Sequence, residues 1–348
     1  MNSHNKSLYR SMKSNPKSGP NNLITDVAGL QVGNAQDETV NSGVTALIMD
    51  HPMTASVHVM GGGPGTRDTE LLSPENTVEE IDGLFLSGGS AFGLDAGGGV
   101  QAWLREQGRG FSLAGQTIPL VPGAILFDLI NGGDKDWGRY PPYRELGYQA
   151  AENSAKEFSL GSVGAGKGAL TAGLLGGLGS ASLTLNNGIT LGALVAVNAI
   201  GSVLMGNSNH FWAAPFELDN EFGGKGLPPS LPDNPSGLNI KFRDQLQANQ
   251  NTTIAIIATD AVLTKAQAKR LAIAAHDGFA RAIWPSHTPL DGDIVFSVAS
   301  GTSGLKPEMN DWIDLGAHAA STMSRAVARG VYEAKADTGS LFPAYQDL

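Results

Sequence analysis

Runs such as Gly61-Gly62-Gly63, Gly97-Gly98-Gly99 and Gly176-Gly177 set the tightest limit on the backbone of this chain. The 348 residues include 46 glycines, about twice the usual ~7% share, and the clusters follow no G-X-Y period. A collagen-like helix is therefore excluded. These glycines must serve turns and close backbone approaches inside a packed fold, where the absence of a Cβ is what matters. With 41% apolar residues the chain can bury a sizeable core.

There is no cysteine, so disulfides, thiolate metal sites, iron–sulfur clusters and cysteine nucleophiles are ruled out together. A nucleophile must be Ser, Thr, Lys or a carboxylate. The formal charge of −10 argues against nucleic acid and anionic membrane as partners, because both call for a basic surface. The seven histidines show no H-E-x-x-H or related spacing, and neither metal nor cofactor is expected. Residues 1–22 are rich in Ser, Asn and Lys, lack the apolar run of a secretory signal, and read as a mobile tail before one catalytic domain over 23–348. No stretch approaches the ~18 apolar residues of a membrane span, so a cytoplasmic protein is expected.

Short apolar runs bounded by turn residues predict buried strands at 44–49, 57–60, 83–86, 118–127, 191–197 and 203–205. Helical spacing covers 92–107 and 143–158. Residues 206–251, with five prolines among Asn, Gly and charged residues, carry no sustained period; such a long irregular run inside a compact protein tends to be functional or a linker. Regular structure then resumes. Residues 252–259 predict a strand, and Thr264-Lys265-Ala266-Gln267 reads as a capping box that opens a helix with Ala268, Leu271, Ala275, Phe279 and Ala282 on one face. A strand at 294–299 and a helix at about 311–334 follow.

Three constellations could carry chemistry. The segment Gly161 to Gly168 meets the G-x4-G-K part of a phosphate loop, but Gly168 stands where a magnesium-binding hydroxyl is needed, so a glycine turn is the better reading. The turn Ser87-Gly88-Gly89-Ser90-Ala91-Phe92-Gly93 follows a strand as a nucleophile elbow would, yet Phe92 occupies the place of the small residue. Its backbone N–H groups at Gly89 and Ser90 can line a pocket. The third is Asn251-Thr252-Thr253 where the irregular run meets a strand, with Asp291-Gly292-Asp293 before the next strand. A cut before Thr252 would put a hydroxyl and an α-amine on one residue, and an amine of reference pKa ~7.7 can serve as general base at neutral pH. Two nearby carboxylates could orient it. By spacing alone, these residues also fit a strand end and an ordinary Asp-Gly turn.

The segments Gly88-Gly89-Ser90-Ala91-Phe92-Gly93-Leu94, Val163-Gly164-Ala165-Gly166, Gly177-Leu178-Gly179-Ser180-Ala181-Ser182, Leu194-Val195-Ala196-Val197-Asn198, Asn251-Thr252-Thr253-Ile254 and Ala258-Thr259-Asp260-Ala261 resemble the L-aminopeptidase/D-esterase family. That family includes β-aminopeptidases and nylon-oligomer (6-aminohexanoate-oligomer) hydrolases. The resemblance implies an α/β fold of four layers, an α-β-β-α sandwich, made as a precursor that cuts itself before a Ser or Thr. Here the cut falls between Asn251 and Thr252, giving an α chain of residues 1–251 and a β chain of residues 252–348. Thr252 is then the nucleophile, Asn198 the oxyanion-stabilising residue, and Asp291 and Asp293 the acidic pair. Asn-Thr, Asp-Gly-Asp and Pro285-Ser286-His287-Thr288 are similar to the nylon-oligomer hydrolase branch, whereas β-aminopeptidases tend to have a Ser nucleophile. Two positions depart from that branch: the substrate-facing Tyr falls on Phe127, and a Lys falls on Gly173, with Lys167 six residues too early to replace it.

The function so implied is an amide hydrolase of short peptides or amino-acid amides, including 6-aminohexanoate oligomers, assembled as a homo-oligomer of αβ units, a tetramer by resemblance. A Ser90-based hydrolase and a non-catalytic small-molecule-binding protein are the alternatives.

Overall fold

The computed structural model describes residues 16–243 and 251–348. In chain order the elements are β1 (Leu30–Asp37), β2 (Ser42–Val59), β3 (Thr66–Arg67), β4 (Glu80–Ser87), α1 (Ala96–Glu106), the hairpin β5 (Phe111–Leu113) and β6 (Gln116–Ile118), β7 (Gly123–Ile125), α2 (Tyr143–Glu152), β8 (Gly177–Thr184), β9 (Thr190–Asn198), β10 (Thr252–Thr259), α3 (Lys265–Ala282), β11 (Ile294–Ala299) and α4 (Met309–Tyr332). The main sheet runs β3-β7-β4-β2-β11-β10-β9-β8, and β1 adds to β2.

The layers follow from which way alternate side chains point. Val44, Ala46 and Ile48 of β2 and Phe85 of β4 face α1 and α2, packing on Val100, Leu104, Leu146 and Ala150. Leu47, Met49, Leu84 and Leu86 face the other way, toward Leu194, Ala196, Ile254, Ile256 and Phe296. The opposite faces of β9, β10 and β11, through Val195, Val197, Ile257 and Val295, pack on α3 and α4. The result is the expected four-layer α-β-β-α sandwich. Its two β layers are joined by β2, whose first part pairs with β1 and β4 and whose second part pairs with β11.

That strand departs from the sequence expectation, in which Asp50-His51-Pro52 falls between two separate strands. The chain instead continues through an irregularity between Ile48 and Met53, with residues 50–52 exposed. A bulge is one of the few sheet positions where a proline is tolerated. The single strand predicted at 118–127 fails for the converse reason. Pro119 and Pro122 remove ladder donors, leaving the end of β6 and the short β7, with Phe127 in a loop. Residues 203–205 form no strand either, only an isolated bridge from Leu204 to Phe211. The helix expected over 92–107 opens as a 3-10 turn at Ser90–Asp95, and the one at 143–158 stops at Glu152.

Strand β10 lies between β9 and β11, and every one of its residues is buried. Fully burying Ile254, Ile256 and Ile257 contributes roughly 2 kcal/mol each. The capping box on α3 forms as expected: Gln267 N donates to Thr264 Oγ1 at 3.3 Å, and Thr264 N to Gln267 Oε1 at 2.9 Å. The N-terminal region is docked earlier than expected. Thr184 N donates to Lys17 O at 2.8 Å, and the Asn22 carboxamide oxygen accepts from Arg325 at 2.8 Å. The rest of the expected tail, residues 1–15, lies outside the described residues, as do residues 244–250 of the irregular run. The described part of that run is anchored: Phe211 and Phe222 enter the core, and Glu221 pairs with Arg325 at 2.5 Å. Among the described residues, no helix is long and apolar enough to cross a membrane.

Candidate active site

The end of β9 and the start of β10 come together because the two strands are antiparallel with Thr252 opposite Asn198. Residues in register across a ladder share a face, so both side chains point the same way. Asn251 continues this edge as an isolated bridge to Asp291. Asn198, Asn251, Thr252, Asp291 and Asp293 are thus gathered in one place, and none is more than 2% exposed.

The Asn251–Thr252 peptide is held from two sides. The Asn251 carbonyl accepts from the Gly292 amide at 2.7 Å and from Thr252 Oγ1 at 2.6 Å, so the hydroxyl lies beside the carbonyl of its own preceding residue. Position 292 must be glycine for this approach: a Cβ there would lie 2.7 Å from Thr252 Oγ1 and 2.6 Å from Gly63 O. The Gly61 to Gly63 cluster clasps the same turn. Gly63 N donates to Asp291 O at 2.8 Å, and a Cβ on Gly61 would meet Asp293 N at 2.3 Å.

The two carboxylates differ. Asp291 accepts from Thr288 through N at 2.9 Å and Oγ1 at 2.7 Å, and from Ile200 N at 3.3 Å. Burial, and then the neighbouring Asp293 carboxylate, push its pKa up to about 6. Asp293 accepts from Thr253 N at 2.9 Å and His287 N at 3.0 Å, and His287 Nδ1 lies 2.8 Å from its Oδ2. Burial pulls the His287 imidazole down, but Asp293 more than offsets this and leaves it above its ordinary pKa. Neither carboxylate hydrogen-bonds Thr252 Oγ1.

The Asn198 carboxamide is fixed. Its Nδ2 donates to Phe127 O at 2.8 Å, while Oδ1 accepts from Asn131 Nδ2 at 3.2 Å, Leu170 N at 3.0 Å and Lys241 Nζ at 3.0 Å. Lys241 is a residue that sequence reasoning misses. It sits in the proline-rich irregular run, where no period or motif marks it, and reaches Asn198 only through tertiary folding. The buried amine beside Asn198 is that of Lys241.

The turn at Gly89 and Ser90 meets the segment that carries Phe127. Gly89 N donates to Asp128 Oδ1 at 2.8 Å and Ser90 N to Leu126 O at 2.9 Å, so the glycine turn packs on the segment carrying Phe127. Ser90 has the left-handed conformation of an elbow serine, with φ 51°. Among the described residues, however, no histidine or carboxylate hydrogen-bonds its hydroxyl. Lys167 is engaged elsewhere, 2.5 Å from Glu38 and 3.3 Å from Asp337. Among the described residues no group of three or more His, Asp or Glu is arranged to hold a metal ion.

The chain is similar to known hydrolases. A family model described as peptidase family S58 matches residues 22–341. An uncharacterized aminopeptidase of Mycobacterium tuberculosis is 40% identical, covering 94% of this chain and 98% of its own. A 6-aminohexanoate-oligomer endohydrolase of Kocuria sp. is 27% identical, covering 81% of this chain and 76% of its own. Among solved structures, the L-aminopeptidase D-Ala-esterase/amidase of Ochrobactrum anthropi, an Ntn-hydrolase variant, has a TM-score of 0.67 at 22% identity, covering 95% of this chain and 91% of that one. This last likeness is one of fold. The family match over nearly the whole chain, together with the 40% identity, establishes that the chain belongs to peptidase family S58 and is a hydrolase of peptide or amide bonds.

Proposed function

We propose that this hydrolase cuts its own chain between Asn251 and Thr252 and then uses Thr252 as an N-terminal nucleophile on amides. The observation that carries the reading is Thr252 Oγ1 lying 2.6 Å from the Asn251 carbonyl oxygen while the Gly292 amide donates to that oxygen at 2.7 Å. In the first step Oγ1 bonds to the Asn251 carbonyl carbon, its proton passes to Asp291, and the C–N bond breaks as the Thr252 nitrogen takes up a proton. Water then hydrolyses the resulting ester, leaving an Asn251 carboxylate and a free Thr252 amine and hydroxyl. Gly292 N–H is placed to stabilise the oxyanion of this step.

Two further features support self-cleavage. Thr252 is 2% exposed in the uncut chain, which keeps external amides away until the chain is cut. The Asn251 carboxamide nitrogen is buried with no partner among the described residues, at a typical cost of about 1–3 kcal/mol that release of Asn251 would relieve. In the processed enzyme the α-amine acts as base, Thr252 Oγ1 attacks the substrate carbonyl, and Asn198 stabilises the oxyanion. Phe127 and the turn at Gly89 and Ser90 line the substrate side. Short peptides and amino-acid amides are the substrate class, with 6-aminohexanoate oligomers included because of the Asp-Gly-Asp turn and the Kocuria relative.

The test is a denaturing gel with intact-mass measurement on the wild type. The expected fragments are residues 1–251 and 252–348, with Thr252 as a new N-terminus. A chain that stays whole while hydrolysing amides rules the reading out. Asn198→Ala should still be processed, because Gly292 holds the scissile carbonyl, but should turn substrate over on the order of 100-fold more slowly. Equal losses in processing and turnover would mean that Asn198 supports the fold and not the oxyanion.

A further inference from the structure

Lys241 is 3% exposed, and among the described residues its ammonium hydrogen-bonds only acceptors: Leu170 O at 2.8 Å, Asn198 Oδ1 at 3.0 Å and Asn198 O at 3.4 Å. A neutral amine would turn its lone pair toward one of these oxygens, so the hydrogen-bond geometry suits the charged form. The residue is pinned by its own backbone as well, since Lys241 N donates to Ile200 O at 2.9 Å. Among the described residues, no carboxylate pairs with it directly. Asp291 and Asp128 act on it from a distance and favour the cation, but burial outweighs them and brings its pKa down to about 7.

We propose that Lys241 is the positioning residue of Asn198: its ammonium fixes the direction of the carboxamide and polarises it, making the second Nδ2–H a stronger donor to substrate oxyanion. The proposal rests on the reading of Thr252 as nucleophile and Asn198 as donor. An amide nitrogen carries two protons. One goes to Phe127 O, and among the described residues Nδ2 has no other acceptor, so the second is available to substrate. A cation on Oδ1 draws electron density from the nitrogen through the amide π system, and charge-assisted hydrogen bonds are roughly twice as strong as neutral ones. The device therefore works while Lys241 is protonated and weakens as it loses its proton. The Thr252 amine works in the opposite sense, since it must be neutral to act as base. The two requirements cross, and turnover passes through a maximum with pH.

The experiment compares processed wild type with Lys241→Met, Lys241→Gln and Lys241→Arg from pH 5.5 to 10. The probes are L-alanyl, β-alanyl and 6-aminohexanoyl p-nitroanilide, followed with whichever the wild type cleaves fastest. Processing into residues 1–251 and 252–348 reports that each variant has folded and is expected in all of them. Lys241→Met should lower kcat about tenfold at pH 6 with KM little changed, and the gap should close as the wild-type amine loses its proton. Its profile should rise to a plateau without the falling limb. Lys241→Gln, which keeps a donor without the charge, should behave the same way and makes the comparison if the Met variant is not processed. Lys241→Arg should restore the rate at pH 6 and hold it above pH 8. Variants that are processed normally and give kcat profiles parallel to that of the wild type overturn the proposal while leaving the Thr252 reading intact. A wild type that is not cut at Asn251 and cleaves none of the probes removes that reading, and this proposal with it.

Discussion

Replacing Thr252 with alanine is expected to leave a single 36.1 kDa chain and to abolish turnover. The substitution removes the one hydroxyl beside the Asn251 carbonyl, so no acyl shift can begin, and the α-amine that would serve as base stays locked in a peptide bond. The fold should tolerate it. Residue 252 is a buried strand position paired with Asn198, and Thr to Ala in a strand changes stability by about 1 kcal/mol. Because nucleophile and base are lost together, turnover should fall roughly 10⁴- to 10⁶-fold, the scale seen when a hydrolase nucleophile is removed. Thr252→Ser should still cut itself. Ser90→Ala is the companion control: with no base on its hydroxyl, Ser90 should be replaceable without loss of processing. Cleavage of Thr252→Ala at the same bond, or a Ser90→Ala chain that stays whole, would exclude Thr252 as nucleophile.

The parts of this site that are legible in the sequence are those set by local pattern. The β-branched, wholly apolar interior of residues 254–258 marks a buried strand, and the Thr264 capping box marks where the following helix begins. Given those two, Thr252 at a strand start and Asp291-Gly292-Asp293 before a second strand can be read without a structure. That Asn198 faces Thr252 needs the antiparallel register of β9 and β10, which the resemblance implies and spacing alone does not. The errors have the same origin. Pro52 looks like a strand break because the local pattern cannot see that β4 and β11 pair with the chain on either side of a bulge.

The less legible parts depend on backbone atoms and on distant sequence. Phe127 stands out in the sequence for its side chain, yet the contact it makes with Asn198 uses its carbonyl oxygen, which any residue type would offer. Gly292 reads as a turn glycine; its N–H on the Asn251 carbonyl is a second use of the same residue. Lys241 is the extreme case. Its surroundings are Leu170 and Asn198, brought to it by the path of the irregular run over the core, and nothing in the residues flanking it signals a buried amine.

The choice between the two carboxylates gives the second large effect. Asp291→Asn should slow self-cleavage by about 10²- to 10⁴-fold, the usual contribution of a positioned base. The raised proton affinity of Asp291 suits it to this role. Asp293 is engaged by Thr253 N and His287, and Asp291, buried beside another carboxylate, has its pKa raised to about 6 and so accepts a proton more readily than an ordinary carboxylate does. A base must be ionised to act, so processing in the wild type should quicken about tenfold per pH unit below 6 and level off above it. That limb should vanish in Asp291→Asn. In Asp293→Asn it should persist but move to lower pH, because removing the neighbouring negative charge lets Asp291 ionise more easily. The carboxamide introduced by Asp291→Asn must turn its NH₂ toward either the Ile200 amide or the Thr288 donors, which costs some stability, so rates should be compared on chains shown to be folded by circular dichroism. A rising limb that survives in Asp291→Asn and disappears in Asp293→Asn would transfer the role to Asp293. The shift in the Asp293→Asn limb is the sharper measurement, since a merely structural contribution from either carboxylate would change the rate at every pH alike.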